Sequence, residues 1–221
     1  MRARGANVIA ASSDVADVTR IETLESVLKG ASSVIFAASA SRKGGNAEQV
    51  DKIGVSNVAR ECVRLGVPRL VVISSGAITR PDSLGFKITN LFGNIMNFKL
   101  QGEKALQETY EAAKNDKLGY VIIRPGGLMD SNALGPGQME LNQGDTISGE
   151  INRADVAECA VAATLSKTIP SRVVFEIYQA GKSGPLEGKF STTSGYERNG
   201  PKLGGDYEEL FKGLSPGEVI I

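Results

Sequence analysis

The 221-residue sequence contains no histidine, which removes imidazole acid–base catalysis, His-containing zinc sites and a Ser-His-Asp triad together. Any catalysis must fall to Lys, Tyr, Ser or carboxylates, and no metal site is expected. Cysteine is almost as scarce. Cys62 and Cys159 each sit inside an amphipathic helical pattern, which argues against a disulfide framework and fits core packing in a reducing compartment. Neither sign of charge is in excess: Lys+Arg and Asp+Glu number 25 each, so no global field draws the chain to nucleic acid or an anionic membrane surface. No apolar run approaches the length of a membrane span, and residues 1–7 lack the apolar stretch of a secretory signal. A soluble protein that does not bind nucleic acid is expected.

What is present is the composition of a globular domain, 41% apolar and 23% charged, and a regular alternation of two patterns. Short β-branched runs bounded by Gly, Pro or Ser cover residues 7–11, 33–38, 70–74, 120–124 and 173–178. Several are apolar on consecutive residues, as in Val34-Ile35-Phe36 and Leu70-Val71-Val72-Ile73, which predicts strands covered on both faces of a mostly parallel sheet. Between them lie helical stripes. Ile21, Leu24 and Leu28 follow Asp17 as N-cap and end at Gly30; Val50, Ile53, Val58, Cys62 and Leu65 open near Asn46 and end at Gly66 with Pro68 beyond. Two more helices are predicted over 99–113 and 153–165, the latter capped by Asn152 with Asp155 three residues on. The rhythm is βαβ, and it predicts a doubly wound, Rossmann-like α/β fold. After residue 180 Gly, Pro, Ser and Thr dominate. Only Tyr207, Leu210, Phe211 and Leu214 suggest a short helix, so residues 1–180 read as one domain and 181–221 as a loop-rich extension, either a tail packed loosely on the domain or a substrate-side cap, a partner-binding tail or a partly disordered segment.

In order along the chain, four segments resemble the extended and atypical short-chain dehydrogenase/reductases, in particular their NmrA-like branch and the dehydrogenase-like proteins of plant and algal plastids. The first is the run 8–17 through Ser13-Asp14-Val15, with Val34-Ile35-Phe36-Ala37-Ala38-Ser39 after it. The resemblance implies that Asp14 meets the adenine amino group, and that Ala37, Ala38 and Ser39 let backbone pass close to the ribose and phosphates of NADP or NAD. The second runs from Val50-Asp51-Lys52-Ile53-Gly54-Val55-Ser56-Asn57 to a strand ending in Ser74-Ser75-Gly76. Asn57 and Ser74 then line the cofactor, and Ser75 holds the place of the catalytic serine that polarises a substrate carbonyl. In the third, Lys99 matches the lysine that grips the nicotinamide ribose, while Ile95 stands where active members carry a tyrosine acid. The fourth, Arg124-Pro125-Gly126-Gly127, resembles the turn lining the nicotinamide end, with Pro125, Gly126 and Gly127 as its wall. Taken from the residues alone, each also has a plainer reading: a turn at Asp14, at Ser74-Ser75-Gly76 and at Pro125-Gly126, and a solvated helix lysine at Lys99.

The same resemblance implies that the first strand, a Gly-x-x-Gly-x-x-Gly turn and the second strand precede residue 1, roughly 40–50 residues of an incomplete βαβ half. Gly44-Gly45 does not replace that turn. Two functions are compatible with these residues. One is an NAD(P)-binding oxidoreductase acting on an unidentified small molecule, with Ser75 and Lys99 in the reaction and water or substrate giving the proton. The other is a non-catalytic NADP(H) sensor or scaffold using the C-terminal extension to hold a protein. The resemblance implies a plastid, the alternative being the cytoplasm. Residues 84–98, which read as a core helix or a greasy lid, and residues 130–150 carry no chemical motif.

Overall fold

A computed structural model describes residues 8–40, 45–91, 93–185 and 205–217. Its centre is a five-stranded sheet ordered β1-β2-β3-β7-β5, built from β1 (Val34–Phe36), β2 (Arg69–Ile73), β3 (Gly119–Pro125), β7 (Arg172–Gln179) and β5 (Met139–Asn142). The first four run parallel, with Ile73 opposite Ile123 and Arg124 opposite Glu176, and β5 closes the far side antiparallel to β7. The apolar runs are explained by the two faces they serve. Leu70, Val72 and Ile122 point into one core with α2 (Val55–Leu65) and α4 (Ile95–Ala113). Val71, Val121, Ile123 and Phe175 point into the other, with α5 (Arg153–Leu165). Period-two alternation divides each strand between these cores. A second sheet joins β4 (Gly127–Met129) parallel to β6 (Ile147–Asn152), with β8 (Ser183–Pro185) antiparallel on its other side.

Elsewhere local chemistry alters the expected elements. Residues 8–11 form no strand, and Ile9 is exposed; a β-branched run is held as a strand by a hydrogen-bonded neighbour, and among the described residues this one has none. Residue 7 lies outside the described residues. The stripe after Asp17 becomes a 3₁₀ turn (Ile21–Thr23) and one helical turn, α1 (Glu25–Leu28). The Asp17 carboxylate takes the Thr19 N–H and hydroxyl at 2.9 and 2.8 Å, so it holds the preceding turn and caps no helix. Asn46 does cap, its side-chain oxygen accepting the Gln49 N–H at 3.2 Å. The helix it opens is wound as π-helix over Glu48–Gly54 before continuing as α2 to Gly66, whose φ of 70° makes it the left-handed stop.

The stretch 84–98 is two helices. α3 (Leu84–Asn90) ends before α4 begins, and Asn94 turns between them at φ 61°. The Asn90 side-chain oxygen accepts the Met96 and Asn97 N–H groups, capping α4 from the helix before it; Phe92 lies outside the described residues. Asn152 stands at the N-cap of α5 but donates its amide to Asp155, which in turn accepts from Leu134 N–H and Gly135 N–H at 2.7 and 3.0 Å. The short late helix is α6 (Tyr207–Lys212). Its Phe211 is buried against Phe175 in the α5-side core. Both thiols are free and buried, and burial pushes Cys62 up to about 12, far from reactive thiolate. Residues 186–204 and 218–221 of the expected extension lie outside the described residues.

Candidate functional site

The carboxyl ends of β1, β2 and β3 are brought level by the parallel registers, and α4 packs on one face of the sheet with Tyr110 against Tyr120 near the start of β3. Four residues at helical spacing form its inner face: Tyr110 and Leu106 are buried in the core, then Glu103 and Lys99 come toward the strand tips. Lys99 reaches Asp51, whose carboxylate lies 2.7 Å from its ammonium. The same carboxylate accepts from Ser39 Oγ at 2.7 Å and from the Ala40 N–H at 3.0 Å. Two sequence-predicted residues, Ser39 and Lys99, are therefore joined through a third that sequence reasoning missed. Ala37, Ala38 and Ser39 are exposed directly beyond β1.

A second group assembles where β2 and β3 end. Ser74 N–H donates to Ile123 O at 2.7 Å and Gly76 N–H to Pro125 O at 2.8 Å, placing Ser74, Ser75 and Pro125 side by side. The Ser75 hydroxyl is half-buried and bonds the Gly76 carbonyl at 3.2 Å. The Ser74 hydroxyl oxygen is buried and has no hydrogen-bond partner among the described residues. Gly126 is glycine for a packing reason: a Cβ there would stand 2.3 Å from the Gly149 carbonyl oxygen and 2.7 Å from the Tyr178 ring. Gly127 is exposed and starts β4.

Polar residues outside the predicted set hold this group. Arg124 is fully buried, with its guanidinium 2.8 Å from Glu103 and 3.2 Å from Glu176. Asp145, also buried, accepts the Ala77 N–H at 2.6 Å and the Thr79 N–H and hydroxyl at 2.9 Å, fixing the loop that leaves Ser75-Gly76. Neither arrangement shows as a motif. The available signal was Arg124 itself, since a buried guanidinium requires carboxylates.

Two candidates lie apart from these groups. Asp14 is on an exposed turn closed by Val15 and Ala16 N–H groups donating to Ser12 O. Asn57 spends its amide on the Val18 carbonyl at 3.0 Å, tying α2 to the segment before α1. Among the described residues no tyrosine is hydrogen-bonded to Lys99 or Ser75. Tyr178 adjoins Gly76 and Gly126, but its hydroxyl donates to Ile147 O at 2.8 Å, and burial holds its pKa far above the usual phenol range.

A cleft of about 270 Å³ opens at the opposite end of the sheet, between Pro68, Arg69, Gly119 and Ser171. Arg69 is committed there to the Ala163 and Ser166 carbonyls at 2.7 and 2.9 Å. It neutralises the end of α5, so that cleft is a helix terminus and not the place where these reactive groups meet. At the strand tips, a nicotinamide dinucleotide fits what is present: exposed small residues at 37–39, an ammonium with donors to spare, and a Ser74 hydroxyl without a partner among the described residues. The sequence has no Gly-x-x-Gly-x-x-Gly turn to hold the pyrophosphate.

The sequence profile of a family described as NAD(P)H-binding matches residues 5–167. An uncharacterized chloroplastic protein of Arabidopsis thaliana is 36% identical over 135 residues, 57% of this chain and 44% of that protein. Sanguinarine reductase of Eschscholzia californica is 34% identical over 125 residues, 55% of this chain and 42% of that enzyme. Each match thus spans less than half the length of these relatives. An oxidoreductase of Lactococcus lactis superposes with a TM-score of 0.61 at 18% identity, over 80% of this chain and 73% of its own, a likeness of fold.

Proposed function

This chain belongs to the NAD(P)H-binding family, of the atypical short-chain dehydrogenase/reductase kind, and from that premise we propose that it carries the substrate-side part of a reductase site. The dinucleotide lies over the tips of β1, β2 and β3. The observation that carries this reading is the Lys99 ammonium, drawn to the tip of β1 by Asp51 at 2.7 Å beside the exposed 37–39 backbone. An ammonium held there faces the place where ligands of open α/β sheets gather, and it has donors left for an anionic or hydroxyl-rich one.

When bound, the dinucleotide supplies or accepts a hydride. The chain's own residues then do three things. Lys99 grips the nicotinamide ribose. Ser75, half-buried beside Pro125, turns its hydroxyl from the Gly76 carbonyl to a substrate carbonyl oxygen. Pro125 and Gly126, packed on Gly149 and Tyr178, form a rigid wall against the ring. With Ile95 in the tyrosine's place and Tyr178 sealed, water or the substrate gives the proton.

Titrating the full-length protein with NADPH, followed by nicotinamide fluorescence, tests the reading. Saturable binding is expected, weakened about tenfold in Lys99→Ala, the loss of one charge-assisted contact. Absence of binding by the full-length protein refutes the proposal. Binding without hydride transfer to any of a panel of carbonyl compounds points instead to a dinucleotide sensor.

A further inference from the structure

Asp51 has no exposed surface, yet it belongs to no apolar cluster and caps no helix. Its carboxylate collects donors from two directions: Ser39 and Ala40 from the stretch after β1, and Lys99 from α4. The segment that carries it is π-helical, a winding found disproportionately at functional sites. Gly102 of α4 meets that segment at a separation only glycine permits, since a Cβ would stand 2.2 Å from the Asp51 carbonyl oxygen. Two helices are thus pressed together where the carboxylate and the amine meet.

One carboxylate does not use up an ammonium. Lys99 has three N–H donors, its side chain is 12% exposed, and among the described residues Asp51 is its one partner. Two donors remain for a ligand at the strand tips. A lysine side chain on its own is a flexible four-carbon stem, and holding it in one place before the ligand arrives removes an ordering cost from binding.

We propose that Asp51 is a positioning residue of the dinucleotide site. It pins the Lys99 ammonium to the tip of β1, so that the amine meets the ribose hydroxyls or phosphate oxygens from a fixed place and in register with the 37–39 backbone. The inference rests on the reading of Lys99 as a cofactor contact. Because Asp51 acts through Lys99, substitutions at the two positions should not add.

The test is NADPH affinity and thermal midpoint of the full-length protein and four variants: Lys99→Met, Asp51→Asn, Asp51→Glu and the double Asp51→Asn/Lys99→Met. Expected are a Kd raised about tenfold in Lys99→Met, about fivefold or more in Asp51→Asn, and by an intermediate factor of about three in Asp51→Glu, which keeps the charge but moves it by a methylene. The double variant should bind within about twofold of Lys99→Met alone. A structural role would lower the midpoint and leave the affinity effects additive, which would overturn the proposal. Wild-type affinity in Asp51→Asn beside weakened Lys99→Met would also overturn it while sparing the dinucleotide reading. Undiminished affinity in Lys99→Met removes the contact through which Asp51 acts, and the proposal falls with it. Should Asp51→Asn fail to fold, Asp51→Glu decides, and an unchanged Kd there is the refuting result.

Discussion

Arg124 has no exposed surface, and Glu103 of α4 and Glu176 of β7 converge on its guanidinium from two elements. Glu176 further accepts the Asp145 N–H at 3.0 Å, so the charged cluster continues into the loop that fixes Ala77 and Thr79. Low polarity makes such a cluster costly to break one partner at a time. Glu103→Ala is expected to lower stability by about 3 kcal/mol, the lower end for breaking a buried pair because Glu176 remains. Urea unfolding measures this; a loss under about 1 kcal/mol, the size of an exposed pair, would mean that Glu103 contributes no more than a surface partner. Of this cluster the sequence displays only the Arg-Pro-Gly-Gly turn. The partners lie 21 and 52 positions from Arg124 and in different elements, where no spacing rule reaches. Asp51 was hidden similarly. Between Val50 and Lys52 it stands outside the apolar stripe of its helix, and it lies buried in a π-helical turn that Gly102 of α4 approaches closely.

At the scale of elements, legibility followed the number of covered faces. Runs apolar on every residue, such as Leu70-Val71-Val72 and Val121-Ile122-Ile123, became strands because helices cover both sides, whereas the run at 8–11 found no neighbour among the described residues. The break between α3 and α4 is made by two successive left-handed residues, Gly93 and Asn94, and by a cap supplied from Asn90; of these only Gly93 was a signal the sequence displayed. The late helix was legible from Tyr207, Leu210, Phe211 and Leu214, but its attachment was not. Glu208 accepts the Ser166 hydroxyl at 2.8 Å and the Lys167 and Thr168 N–H groups at 3.2 and 3.1 Å. The Thr168 hydroxyl above all, with Ser166 and those backbone donors, holds its carboxyl below the ordinary value of 4.5. A carboxylate lowered on folding contributes stability above its unfolded value, and that contribution disappears as pH falls through the folded one. Glu208→Gln should therefore melt below wild type at pH 7, with the gap closing as pH falls below about 4.5. A gap that does not narrow at all as pH is lowered below 4.5 would mean the anion is not what fastens α6.

At the scale of the whole molecule, β3, like β2 and β7 beside it, walls both cores, with Ile122 serving one and Val121 and Ile123 the other. Its carboxyl end, Pro125, is also the wall of the candidate site, so anything bound at the strand tips touches an element on which both cores depend. A ligand that binds only the folded chain stabilises it by RT ln(1 + [L]/Kd), about 2.7 kcal/mol at a hundredfold excess over Kd. For a protein of this size about 1 kcal/mol moves the melting midpoint by about 2–4 °C. NADPH at that excess should accordingly raise the midpoint of the full-length protein by about 5–11 °C. Lys99→Met at the same NADPH concentration, with affinity about tenfold weaker, should retain only about half of that free energy, because the logarithm loses about 1.4 kcal/mol. Glu103→Ala separates the two origins of stability: its unliganded midpoint should fall while its ligand-induced shift at equal saturation persists. If NADPH leaves the wild-type midpoint unmoved at saturation, the strand tips do not hold the dinucleotide in the native state, and the polar groups gathered there serve the fold alone.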